Sequence, residues 1–126
     1  MLFRSNLEKF IETFEKSQWG SRIPYDVERP FVYAVGGRVV RGVIDAIYQQ
    51  PDGSWLLVDW KTNSAATADD LQLSVYRLAW ARIQGCSAAD VQCAFYYVAL
   101  DQTVTPAKYY SEAELEEILT KDATIR

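Results

Sequence analysis

The chain has 126 residues, 49% of them apolar, with 13 Lys and Arg against 17 Asp and Glu, a formal charge of -4 and a pI near 4.8. This excludes a disordered chain and suits one domain with a real core. It also denies the chain the basic footprint of a free-standing nucleic-acid binder, so any such binding is local or helped by a partner.

There is no His, so a Ser-His-Asp hydrolase and a His-ligated zinc site cannot be built within this chain. Cys86 and Cys93 are the two cysteines, too few for a disulfide framework; they read as buried thiols in a reducing cytoplasm. No apolar run approaches the roughly 18 residues of a membrane span, and the start lacks a signal-peptide core.

In chain order, Leu7, Phe10, Ile11 and Phe14 fall at helical spacing, with Glu8 and Glu12 on a solvated face. That helix is expected to end near Trp19-Gly20, with Gly20 as a left-handed cap. Tyr25 to Val35 reads as a strand, and Pro30 argues for an edge or a bulge because it cannot donate to a ladder. Glu28 lies on this strand, directed either toward the acids discussed next or into water. Gly36-Gly37 makes a two-residue turn into a strand in which Val39, Arg41, Val43, Asp45 and Ile47 are expected to share one face.

The stretch Gly42 to Lys61 reads as a hairpin closed by Pro51-Asp52-Gly53, where Pro presets φ and Gly supplies the left-handed residue. If Gln50 faces Ser54, the register puts Asp45 opposite Asp59. Such a pair has Cβ atoms about 4.5–5.5 Å apart and is destabilising unless something positive lies between the carboxylates. Lys61, two residues on, projects from the same face as Asp59. A divalent cation would complete the set; the plainer alternative is a solvated polar strand face with Lys61 as counter-charge.

A polar loop follows, then Thr67 and Asp70 resemble a capping box opening a helix with Leu71, Val75, Leu78 and Ala79 as its apolar stripe and Gly85 as its stop. Gln72 and Tyr76, four apart, stack on one face of it. Tyr76 is either core or part of a site. Val91 to Leu100 reads as a buried strand reached by a right-handed parallel crossover. Ser111 with Glu114 caps a last helix carrying Leu115, Ile118 and Leu119. The expected fold is α/β, a three-layer core in which an antiparallel three-strand meander plus a parallel crossover strand is flanked by helices.

Taken together, Gly42-Val-Ile-Asp45, Val58-Asp-Trp-Lys61 and Gln72-Leu-Ser-Val-Tyr76 resemble the PD-(D/E)XK nuclease superfamily, most closely RecB-like nuclease domains carried with UvrD/RecB-type DNA helicases. The likeness runs from about Glu28-Arg-Pro-Phe31 to the end of the Gln72 helix. It implies a restriction-endonuclease-like fold and metal-assisted hydrolysis of DNA phosphodiesters by an exonuclease or endonuclease acting in double-strand break repair and recombination.

By the same resemblance, Asp45 and Asp59 ligate Mg²⁺ or Mn²⁺ with the backbone carbonyl of Trp60, and Lys61 orients water and stabilises phosphate charge. Gln72 and Tyr76 place DNA or support the lysine. Many RecB-like members also carry a metal-binding His before the first strand; this chain has none, so that either the His precedes the given residues, or Glu8, Glu12 or Glu28 substitutes, or the site binds metal poorly. The iron-sulfur cluster of some relatives needs four Cys and is excluded.

The resemblance further implies that residues 1–126 are one nuclease domain of a longer helicase-nuclease, whose ATP-driven motor delivers single-stranded DNA. Two other readings stay open: an inactive nuclease-like module that guides DNA or packs on a helicase, and an α/β interaction domain with no nucleic-acid role.

Overall fold

The computed structural model describes residues 2–62 and 70–125. The elements are α1 (Leu2–Lys16), β1 (Asp26–Val35), β2 (Arg38–Gln49), β3 (Trp55–Lys61), α2 (Asp70–Gln84), β4 (Val91–Tyr97), β5 (Gln102–Val104) and α3 (Glu112–Ile125). Among the described residues they form a five-stranded sheet in the order β1-β2-β3-β4-β5. The first three strands are an antiparallel meander and β3 pairs with β4 in parallel across the α2 crossover. This is the expected α/β sheet, extended by β5.

Turn chemistry sets the meander. Gly36 and Gly37 adopt φ of 59° and 72°, the pair of left-handed residues that a two-residue hairpin needs. At the next turn the Gln50 amide donates to the Ser54 carbonyl and the Gly53 amide to the Gln50 carbonyl, with Gly53 at φ 89°. Asp52 Oδ1 accepts from both the amide and the hydroxyl of Ser54. The resulting register, Gln49 against Trp55 through Ala46 against Val58, is the one that the Pro51-Asp52-Gly53 bend predicts. Pro30 sits on β1, an edge strand, where its missing donor costs nothing.

Helices pack on both faces of the sheet, but Val32, Val39 and Val43 of the outer β1–β2 ribbon stay exposed. α2 and α3 close one side over Phe31, Tyr33, Ile44, Ile47, Leu57, Leu73, Trp80, Phe95 and Leu115. On the other side, Phe14 of α1 and Trp19 just beyond it pack with Ala46, Tyr48, Val58, Trp60 and Tyr96. α2 stops as expected: Gly85 has φ 67°, its amide donates to Arg82 O, and the Cys86 amide reaches back to Ala81 O, a Schellman pair. The Ser111–Glu114 box also forms, each residue's amide donating to the other's side chain.

Several expectations need correction. Val39, Arg41 and Val43 do not share a face with Asp45 and Ile47: the first three are exposed while Ile47 is buried. α1 ends at Lys16, and Gly20 is not left-handed; a Cβ there would collide with the carbonyl oxygens of Phe14 and Glu15, so glycine is required by close approach. In α2 the deeply buried positions are Leu73, Ser74, Ala79, Trp80 and Ala81, and Leu71 is exposed, because the helix is rotated toward Trp55 and Tyr25, whose rings meet Trp80. β4 ends at Tyr97; Val98–Leu100 form a 3₁₀ turn, and left-handed Asp101 at φ 48° reverses the chain into β5. Cys93 is buried but Cys86 only partly so. Thr67 of the expected Thr67–Asp70 box, and the Leu7 and Phe10 side chains, lie outside the described residues. Among the described residues, no helix is long and apolar enough to cross a membrane.

Candidate active site

The site forms where β2 and β3 part. Their ladder stops at Ala46 and Val58. One step further, Asp45 and Asp59 face each other, but the backbone pairing is replaced by a side chain: Asp45 Oδ2 accepts from the Trp60 amide at 2.9 Å. The Trp60 ring meanwhile lies on the opposite face, edge-on to Phe14 with centroids 5.2 Å apart.

Asp59 comes from the centre of the sheet, and its side chain is 6% exposed. Burial pushes its carboxyl up to about 6; Lys61 opposes this and the neighbouring Asp45 carboxylate reinforces it. Lys61 Nζ lies 2.9 Å from Asp59 Oδ2, an ion pair that holds the buried carboxyl down against its desolvation. Burial works against the Lys61 ammonium, yet the contact with Asp59 outweighs it and its pKa is raised. Nζ also sits 5.3 Å from the Phe95 ring centroid.

Gln72 and Tyr76 approach from α2. Gln72 Nε2 donates to Tyr76 Oη at 2.9 Å. Burial raises the Tyr76 pKa; Gln72 counters it, while Asp59 and Asp45 push it further up. The tyrosine is therefore within electrostatic reach of both acids and the lysine. Its ring meets Phe31 of β1 edge-on at 5.3 Å, and Phe31 lies so close over Gly42 that a Cβ there would be 2.7 Å from the ring. The glycine of the Gly42-Val-Ile-Asp45 stretch thus makes room for the ring that supports Tyr76. Sequence reading saw the glycine but not this contact, which depends on pairing Phe31 with Gly42 across strands.

The structure brings Asp45, Asp59, Lys61, Tyr76 and, through Tyr76, Gln72 together. Glu12 is exposed and paired with Lys16 at 2.8 Å, and Glu8 is exposed. Glu28 falls opposite Asp45 in the β1–β2 register, between the pairs Val27–Ala46 and Arg29–Ile44, but it is exposed and has φ 48°.

Among the described residues, no group of three or more His, Cys, Asp and Glu side chains converges. The two acids nonetheless fit a hard divalent cation: both are oxygen donors, and Asp59 is buried beside a second carboxylate, with its charge met by Lys61 alone among the described residues.

No curated protein matches the chain in sequence. Among solved structures, the crystal structure of SSO0001 is similar, with a TM-score of 0.57 at 15% identity, over 98% of this chain. That likeness is one of fold, and this chain spans 60% of the length of that one. The family profile of the PD-(D/E)XK nuclease superfamily matches residues 2–124. With nearly the whole sequence matched and an acid, acid and lysine gathered at the parting of two strands, the chain belongs to the PD-(D/E)XK nuclease superfamily.

Proposed function

We propose that the chain is a divalent-metal-dependent deoxyribonuclease domain that hydrolyses phosphodiester bonds, working with a DNA helicase in double-strand break repair. The observation that carries this is the buried Asp59 carboxylate, set against Asp45 on one side and the Lys61 ammonium on the other. Burying Asp59 beside a second carboxylate costs stability, and a cation offsets that cost.

Asp45 and Asp59 would hold Mg²⁺ or Mn²⁺, with the Trp60 carbonyl as a further oxygen donor; the ion supplies an activated water and neutralises charge building on the phosphate. Lys61 stays protonated because Asp59 raises its pKa, so it serves as a fixed positive charge and hydrogen-bond donor, not as a base. Tyr76, its pKa raised, remains a neutral phenol. Receiving a hydrogen bond from Gln72, it keeps its own proton to offer a phosphate oxygen.

In this reading residues 1–126 are one cytoplasmic domain of a longer helicase-nuclease, and the motor provides the basic track that an acidic chain of net charge -4 lacks. The test is cleavage of labelled single-stranded DNA with Mn²⁺ or Mg²⁺, by the chain alone and together with its helicase. Cutting that disappears with EDTA and with Lys61→Ala supports the proposal. DNA binding without cutting in any metal would instead favour the inactive guiding module.

A further inference from the structure

β2 carries an irregularity at its catalytic acid. Ile44 and Ile47 are three residues apart, yet both join the core beneath α2, while Ala46 and Tyr48 join the opposite face. Strict alternation would put Ile44 and Ile47 on opposite faces. The pattern therefore slips by one residue between them, and Asp45 sits at the slip.

β1 slips at the same level. Directly paired residues share a face, so Val27 follows its partner Ala46 while Arg29 follows Ile44; Arg29 accordingly lies over the Trp80 ring of α2, 5.8 Å from its centroid. Positions 27 and 29 should share a face in a regular strand, yet here they do not. Between them Glu28 has φ 48°, a left-handed conformation rarely adopted by residues other than Gly, Asn and Asp. The pairing register is identical on both sides of Glu28, so no residue has been inserted; the two strands turn over together at the Glu28–Asp45 level.

The turnover has a direct effect on the site. With Ile44 beneath α2, regular alternation would send Asp45 to the α1 side, away from Asp59, Lys61 and Tyr76. After the slip, Asp45 acts electrostatically on all three and accepts from the Trp60 amide.

We propose that Glu28 is a positioning residue: its left-handed backbone, rather than its exposed carboxylate, turns Asp45 onto the face that holds Asp59 and Lys61. Resting on the nuclease reading for its catalytic consequence, this makes the position tolerant of lost charge and intolerant of side chains that cannot adopt a positive φ.

The experiment compares Glu28→Gly, Glu28→Gln and Glu28→Val in the full chain by amide hydrogen exchange and by Mn²⁺-dependent cleavage. Glycine adopts this conformation freely, glutamine removes only the charge, and valine is branched at Cβ and disfavours it. Glu28→Val should lose at least about ten-fold of the exchange protection at the Trp60 amide while the Ala46–Val58 ladder stays protected. Its cleavage should fall in kcat by at least about ten-fold, whereas the glycine and glutamine variants keep both properties.

Loss of Trp60 protection or of cleavage in Glu28→Gly, unchanged behaviour of a folded Glu28→Val, or a glutamine variant as impaired as the valine one would each overturn the proposal, the last pointing to a carboxylate ligand. Should the valine variant not fold, the glycine and glutamine variants still decide. If the wild type cuts no DNA, the nuclease reading fails while the exchange pattern still judges the role of Glu28.

Discussion

The Asp45 carboxylate occupies the Trp60 amide across 2.9 Å, holding β2 and β3 together one step past the end of their ladder. One side chain thereby closes the sheet and presents charge to the site. Asp45→Ala should leave that amide without a partner and cost about 1–3 kcal/mol. Asp45→Asn, which keeps an acceptor, should cost less while weakening Mn²⁺ binding as severely. Urea unfolding with and without Mn²⁺ separates the two effects.

The Asp59 carboxyl, pushed up to about 6 from an ordinary value of 3.8, binds its proton more tightly in the folded chain than in the unfolded one. Its contribution to stability is therefore complete below about pH 4 and is lost as pH rises through 6. Without divalent ions, Asp59→Asn should raise the melting temperature at pH 7–8 and flatten the decline between pH 4 and 6. Mn²⁺ should stabilise the wild type above pH 6 but not the variant, as thermal melts across pH will show.

Lys61 is the only basic group in contact with Asp59 among the described residues. Lys61→Ala should reduce cleavage by about two orders of magnitude or more with little change in single-strand affinity. It should also shift the Asp59 carboxyl further up, by removing the group that now holds it down. Gel-based cleavage beside fluorescence anisotropy reads the first effect, and carboxyl chemical shifts under titration read the second.

The Phe31 ring fills the space where a Cβ at position 42 would sit. Gly42→Ala should therefore cost about 1–3 kcal/mol by overpacking and lower kcat by displacing Tyr76. Adding Phe31→Leu should recover part of both losses, a coupling that a double-mutant cycle will measure.

Much of this was legible in the residues. Pro51-Asp52-Gly53 determined a register that aligned Asp45 with Asp59, and Gly85 and the Ser111–Glu114 pair marked helix ends, because each acts through local backbone geometry. The alternation slip was not legible, since it depends on a left-handed Glu28, and glutamate does not advertise that conformation as glycine does. Asp45 was placed beside Asp59 by counting from the turn, although counting faces from Val39 could not have put it there. The rotation of α2 that buries Trp80 instead of Leu71 is set by aromatic partners on other elements, and β5 is three residues long, too short for a periodic signal.

β3 carries Asp59 and Lys61 while lying between β2, its hairpin partner, and β4, which pairs with it in parallel only after the chain has passed through α2. The hairpin closes locally, but Asp59 is aligned with Phe95 and Lys61 with Tyr97, contacts distant in sequence and slow to form. The consequence is one of timing: a chain still emerging from the ribosome, with β4 not yet made, has both acids but lacks the wall beneath them. The candidate site is therefore complete only once the last central strand has docked beside β3.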